Sequence, residues 1–320
     1  MKEIIFVAYD TLCSLRLPEP VHGGSDKLLD QARTLALKVQ NTLNMYDPQS
    51  ELSRLCSSYT PGKKEKVSKM LWEFVKLNLK FSQQTEGSFD FTVGPLMKLW
   101  DFAAEKPQRP SAEKLREAAG RVGYGRVHVD LELPEVWFDA PGMVLDPGAS
   151  GKGYALEVVC DFLRERGVED AVLDFGGNLF AIGGKRKGDG RKRPWRAAVR
   201  SPNRGEILGT VELYNRGIGT SSWYEHGFEM DGTVYYHLLD PATGLPQRTD
   251  ISSVSILSSS ALYTDLMSTA FFIMGFEQGC KLAERIKNQE SVDLDYVVLK
   301  SDGEIEASEG AHFKNSVVDH

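Results

Sequence analysis

Cysteine is scarce in this sequence and scattered. Cys13, Cys56, Cys160 and Cys280 are the only four in 320 residues, and no two form a CxxC pair. That argues against a cysteine-held metal cluster or a redox dithiol, and Cys160, among apolar residues on a helical pattern, reads as a buried inert thiol. Long apolar runs are missing too: none reaches the roughly 18 residues that a membrane helix requires. The opening "MKEIIFVAYDTLC" meets Asp10 before an apolar segment is complete, so it reads as a first β-strand rather than a signal peptide. With Met1 as the native start the expected location is cytoplasmic; a trimmed mature form would instead imply a periplasmic or cell-surface lipoprotein. Basic excess is absent as well. The 45 acidic and 38 basic residues leave a formal charge of -7, against a general nucleic-acid binder.

What remains is ordinary for a globular enzyme, with 41% hydrophobic and 26% charged residues. The length allows one large domain or two closely joined ones. Mixed strands and helices, rather than a regular βαβ series, predict an α+β fold. Strands are expected at 2–8 and 12–17, and an amphipathic helix over 25–44. Ser50 is placed to cap a short helix, and another helix covers 68–84. "FDFTVGPLMKLWDF", 89–102, has no clean period. A helix near 111–119 precedes short strands around 127–129, 136–138 and 143–145. Then come a helix over 152–166, strands "AVLDF" and "NLFAIGG", further strands to about 257, helices at 261–274 and 276–286, and a last strand pair. Seven basic residues between Lys185 and Arg196 read as an exposed hairpin loop.

Three stretches carry chemistry. "DPGASGKGYALEVV", Asp146–Val159, resembles a P-loop but departs from it: two residues separate Gly148 from Gly151, and Gly153 stands where a hydroxyl should follow Lys152. A strand feeding a glycine turn that opens a helix aims free amides at an anion, and Lys152 adds a charge. The plain alternative is a tight packing turn. In "YTDLMSTAFFIMG", Asp265 and Thr269 lie four apart and share a helix face, an oxygen pair suited to a hard cation. The alternative there is a solvated Asp265 and a Thr269 bonded to its own helix. In "YYHLLDPATGLP", His237 precedes the Asp240-Pro241 turn and is a proton carrier near neutral pH, or an ordinary strand residue.

Taken in order, "YDPQSELSRL", "GSFDFTVGPLMKLW", "DPGASGKGYALE", "LDFGGNLFAIG", "GTSSWYE", "HLLDPATGLP" and "TDLMSTAFFIMG" resemble the ApbE family of flavin transferases over about residues 6–310. The resemblance implies an ApbE-like, T-fold-related α+β body of antiparallel sheets and flanking helices, one unit over 1–320. Its active site would lie in a cleft between soft lobes of about 1–140 and 141–320. It implies Mg²⁺-dependent transfer of FMN from FAD to a Thr or Ser hydroxyl of an acceptor protein, with AMP leaving. FAD would be the substrate, and Mn²⁺ or Ca²⁺ the alternative metals. The acceptor would be a redox-complex flavoprotein carrying a Ser/Thr-Gly-Ala-Thr-like motif. Ala149, Asp265 and Thr269 would hold the metal. Tyr9, Tyr46, Phe89, Asp90, Phe91, Asp146, Gly148, Lys152 and Leu239 would contact the cofactor, and His237 and Asp240 would orient or deprotonate the incoming hydroxyl. Departures from the family pattern are Tyr9 where Met is usual, Ser222 for a glycine, and Ser150-Gly151 for bulkier residues. An FAD pyrophosphatase and a non-catalytic flavin carrier are the competing readings.

Overall fold

A computed structural model describes residues 1–18, 24–186, 191–202, 206–225 and 227–316. Lys187, in the basic run, lies outside the described residues; Lys185–Arg186 and Lys192–Arg193 around it pair as a short antiparallel ladder, as a hairpin requires.

The chain divides into two compact units. One comprises Met1–Gln40, Lys152–Ser222 and Asp250–His320, the other Asn41–Gly151 and Trp223–Thr249. The division does not follow a split near residue 140, because the chain crosses after Gln40, Gly151, Ser222 and Thr249. The glycine turn and the His237 turn therefore belong with the aromatic loop, whereas the Asp265 helix belongs with the N-terminal hairpin.

The first unit is built on an eight-stranded sheet: β1 (Lys2–Ala8), β2 (Thr11–Leu17), β3 (Ala171–Phe175), β4 (Asn178–Ile182), β5 (Arg216–Ser222), β6 (Ile251–Ser258), β7 (Leu294–Lys300) and β8 (Ile305–Ala307). Spatial order equals chain order, and every neighbouring pair is antiparallel. Two-residue turns join β1 to β2 and β3 to β4, at Tyr9-Asp10 and Gly176-Gly177, all with positive φ. That conformation matches the twist of a hairpin and is easiest for glycine. At Tyr9 a non-glycine residue adopts it, anchored by three contacts described below.

Successive side chains on β4 and β5 point to opposite faces. Leu179 and Ile218 face a core with Ala197, Val199, Val211 and Leu213 of a small sheet, whose main strands are Trp195–Arg200 and Ile207–Leu213. Asn178 and Ser221 face the opposite way, onto the helix Ala261–Met274. That helix is buried nearly all round, which explains why its sequence shows no polar stripe. Strand β6 is covered on both faces and buries Ser253, Ser255 and Ser258 along with its aliphatics.

In the second unit the helices are Glu51–Ser58, Lys69–Gln84, Gly94–Trp100 and Ala112–Ala119. Ser50, Ser68 and Ser111 cap three of them by accepting the third-following amide. Helix Gly94–Trp100 falls in the stretch without a period: it is short, opened by Pro95, and packs Leu96 and Trp100 against Leu239 and Tyr235. The strand expected at 143–145 is reduced to one bridge, Val93 with Val144. The reason lies in its amides: Met143 donates to the Tyr59 hydroxyl (2.8 Å) and Leu145 to Cys56 Sγ (3.4 Å), so side chains replace a neighbouring strand.

Candidate functional site

The segment entering the helix Gly151–Glu165 is wound tightly on itself. Asp146 Oδ1 accepts the Gly148 amide at 2.6 Å, and the Pro147 carbonyl accepts those of Ser150 (3.0 Å) and Gly151 (2.6 Å). Asp146 is buried, and burial pushes its carboxyl up from the usual range against the pull of the Gly148 amide and the Lys98 charge. Gly148 is exposed and Ala149 half-buried. Ser150 is fully buried, and its Oγ has no hydrogen-bond partner among the described residues. A buried hydroxyl without a partner is costly unless something supplies one.

Lys152 stands half-buried in the first turn of the helix, and among the described residues no hydrogen bond or ion pair engages its ammonium. One residue on, Gly153 explains the departure from the P-loop pattern. A Cβ there would lie 2.6 Å from Asp265 Cβ and 2.7 Å from the Ala261 carbonyl, so the helix Ala261–Met274 can approach only because the side chain is missing. At that contact the Gly153 amide donates to Asp265 Oδ2 at 2.8 Å. Glu157, a turn later, accepts from Ser260 Oγ (3.1 Å) and the Leu262 amide (3.2 Å), tying the same two helices together at the second one's N-terminus.

Asp265 and Thr269 are 6% and 8% exposed, so the solvated alternative for Asp265 does not hold. Asn178 Nδ2 donates to Asp265 Oδ1 at 2.8 Å. Thr269 Oγ1 meets Ser221 Oγ at 3.3 Å, across to β5. No Lys or Arg forms an ion pair with Asp265 among the described residues. A buried carboxylate with a hydroxyl beside it and no cationic side chain is a donor set that fits a hard cation. No group of three His, Cys, Asp or Glu side chains is placed to hold a metal among the described residues, so hydroxyl, carbonyl or substrate oxygens would have to complete the shell.

Several residues read as cofactor contacts have structural duties of their own. Asp90 Oδ1 accepts the Thr92 amide (2.8 Å) and hydroxyl (2.6 Å), and Oδ2 accepts the Tyr124 amide (2.8 Å). Phe89 and Phe91 are buried; Phe89 packs edge-on to Phe81, and the Phe91 carbonyl accepts the Asp146 amide at 2.7 Å. Tyr9 donates its hydroxyl to the Ala36 carbonyl (2.6 Å) and its backbone amide to Gln40 Oε1 (2.8 Å), and stacks on Phe175. Burial pushes its phenol up. Tyr46, by contrast, is 66% exposed.

The His237 turn has the same character. His237 is half-buried just past the strand Thr233–Tyr236. Asp240 directs Oδ1 to the Ala242 amide (2.9 Å) and Oδ2 to the Thr243 hydroxyl (2.8 Å), so both oxygens brace the turn. Leu239 is buried against Trp100, whose indole N–H donates to the Gly244 carbonyl at 2.7 Å.

Together these define an α+β protein with a buried oxygen pair on one helix beside the N-terminal turn of another. A family model described as the ApbE family matches residues 9–292, and the chain belongs to that family. Over 302 residues it is 31% identical to the FAD:protein FMN transferase of Vibrio cholerae serotype O1, covering 93% of this chain and 87% of the relative. It is 29% identical to the enzyme of that name from Treponema pallidum, covering 97% and 87%. Among solved structures, the ApbE protein of Thermotoga maritima matches with a TM-score of 0.84 at 27% identity, covering 97% of each chain. The flavin transferase ApbE of Vibrio cholerae matches at 0.82 and 28%, covering 96% of this chain and 97% of that one.

Asn178, Ser221 and Glu157 were not singled out by the sequence. Gly153 left a signal, as the odd residue after Lys152.

Proposed function

We propose that this chain transfers FMN from FAD to a Thr or Ser hydroxyl of an acceptor protein in a Mg²⁺-dependent reaction that releases AMP. The observation that carries the reading is the first turn of helix Gly151–Glu165. There an unengaged lysine, suited to phosphate, is followed by a glycine whose amide holds a buried carboxylate, suited to a cation. Curated relatives bearing the name FAD:protein FMN transferase support it.

Ala149, Asp265 and Thr269 would hold the metal, which when bound would offset negative charge on the FAD pyrophosphate. Lys152 and the amides of the glycine turn would hold the phosphates, with the unpartnered Ser150 hydroxyl as a further donor. Tyr9, Tyr46, Asp90, Asp146, Gly148 and Leu239 would shape or support the FAD pocket. His237 would take the proton as the acceptor oxygen bonds to the FMN phosphorus and the bond to the AMP oxygen breaks. Asp240 would act through the turn it braces. Proximity and preset charge would supply most of the rate.

The test is incubation with FAD, Mg²⁺ and a protein bearing a Ser/Thr-Gly-Ala-Thr segment, read by in-gel flavin fluorescence and intact mass. A gain equal to FMN on the acceptor, lost in Asp265→Ala, is expected. AMP and free FMN without labelling would overturn transfer in favour of hydrolysis, and bound FAD without AMP would overturn both.

A further inference from the structure

Each oxygen that the proposed function assigns to metal on the helix Ala261–Met274 is held by a side chain or amide from elsewhere in the same unit. Asp265 Oδ2 receives the Gly153 amide and Oδ1 the Asn178 amide nitrogen, each at 2.8 Å. Asn178 is 3% exposed and is fixed at the first position of β4, directly after the Gly176-Gly177 turn. One hydrogen bond per carboxylate oxygen sets the plane of the group and leaves a lone pair on each.

The hydroxyls near Thr269 form a chain whose direction can be worked out. Ser268 Oγ donates to the Asp265 carbonyl of its own helix at 3.0 Å. Its single proton is thereby committed, so in the 2.9 Å contact with Ser221 it must accept. Ser221 then has no proton left for Thr269, and in that 3.3 Å contact Thr269 must donate. Thr269 Oγ1 is left with lone pairs only, the state in which a hydroxyl serves a cation.

We propose that Asn178 and Ser221 are positioning residues for the cation site. Asn178 fixes the orientation of the Asp265 carboxylate, and Ser221 fixes the polarity of the Thr269 hydroxyl. The proposal rests on the reading of Asp265 and Thr269 as metal ligands. Strands β4 and β5 present these two side chains on the face that carries the helix, so sheet register sets the site before any ligand arrives. Partners of this kind around metal ligands affect metal affinity by roughly 10- to 100-fold.

The test uses the full chain with Mn²⁺ as the probe, titrated by electron paramagnetic resonance at saturating FAD without acceptor. Asn178→Ala and Ser221→Ala are compared with the native chain. FAD affinity in EDTA and the metal-free Tm are measured alongside. Mn²⁺ binding weakened tenfold or more, with FAD affinity in EDTA unchanged, is expected for both. If Asn178→Ala fails to fold, Ser221→Ala, which removes one oxygen, decides. Mn²⁺ affinity within about twofold of native in the folded variants overturns the proposal. Asp265→Ala separates the two levels: if it alone loses Mn²⁺, the positioning role fails and the ligand reading stands. If it retains native Mn²⁺ affinity, both fail.

Discussion

Lys152 is the residue whose chemistry is least committed to the fold. Half-buried, with no hydrogen bond or ion pair on its ammonium among the described residues, it suits a charge kept for a ligand. Lys152→Gln should leave Tm nearly unchanged and weaken FAD binding by about 1.5–3 kcal/mol, the range for a hydrogen bond to a charged group. Flavin fluorescence quenching checks this, and native affinity in the variant would remove Lys152 from the phosphate site. At this scale the sequence was readable where spacing alone decides. Asp265 and Thr269 are four apart on a helix, and they do share one buried face. It did not reveal where an acid also braces its own turn. Asp90 two before Thr92, and Asp240 three before Thr243, are local turn signals, and both carboxylates serve that purpose. Asn178 and Ser221 left no such trace, because what brings them to the helix is strand register across distant parts of the chain.

Among elements, the decisive contact is that between helices Gly151–Glu165 and Ala261–Met274. Gly153→Ala would drive a methyl group into Asp265 Cβ and the Ala261 carbonyl, neither of which can swing aside as a flexible chain end would. We expect a loss of about 1–3 kcal/mol in urea unfolding, the usual cost of overpacking. Mn²⁺ affinity should fall with it, because Asp265 is displaced at the same point. Trp100→Phe tests the His237 turn from the other side. It removes the donor to the Gly244 carbonyl and should cost about 1–3 kcal/mol, detectable by the same unfolding measurement; an unchanged midpoint would mean that the turn stands without it. Most helices were legible because capping serines and three-four spacing are local signals. Helix Gly94–Trp100 was not, being too short for a period to emerge. The strand at 143–145 was expected from its apolar run, which cannot reveal that Tyr59 and Cys56 occupy its amides.

For the whole molecule, the α+β class could be read from the succession of elements, but the division into units could not, since it depends on where the chain crosses rather than on composition. Stability should carry a pH signature from the helix pair. Burial pushes the Glu157 carboxyl above its ordinary 4.5, ahead of the opposing pull of the Leu262 amide. The folded state therefore holds that proton more tightly than the unfolded chain. The stability from this group is full below 4.5 and is lost as pH rises through the raised folded value. Glu157→Gln keeps an acceptor without the charge. Native stability relative to the variant should thus decline as pH rises from below 4.5 through the raised folded value, as urea unfolding at several pH values would show. Parallel curves would rule the effect out.

The antiparallel sheet with strands in chain order also constrains synthesis. Hairpin β1–β2 leaves the ribosome early, yet Cys13 pairs with Phe175 and must wait for that strand to be made. Segment Asn41–Gly151 emerges meanwhile, but its unit lacks Trp223–Thr249 until still later. Neither unit is whole when the polymerised chain reaches Ser222, so a nascent protein arrested there should remain protease-sensitive throughout. Protection of the second unit should appear once Thr249 has left the exit tunnel, and of the first only after β6, the helix carrying Asp265 and β7 have followed, which makes birth of the fold a late, nearly post-translational event.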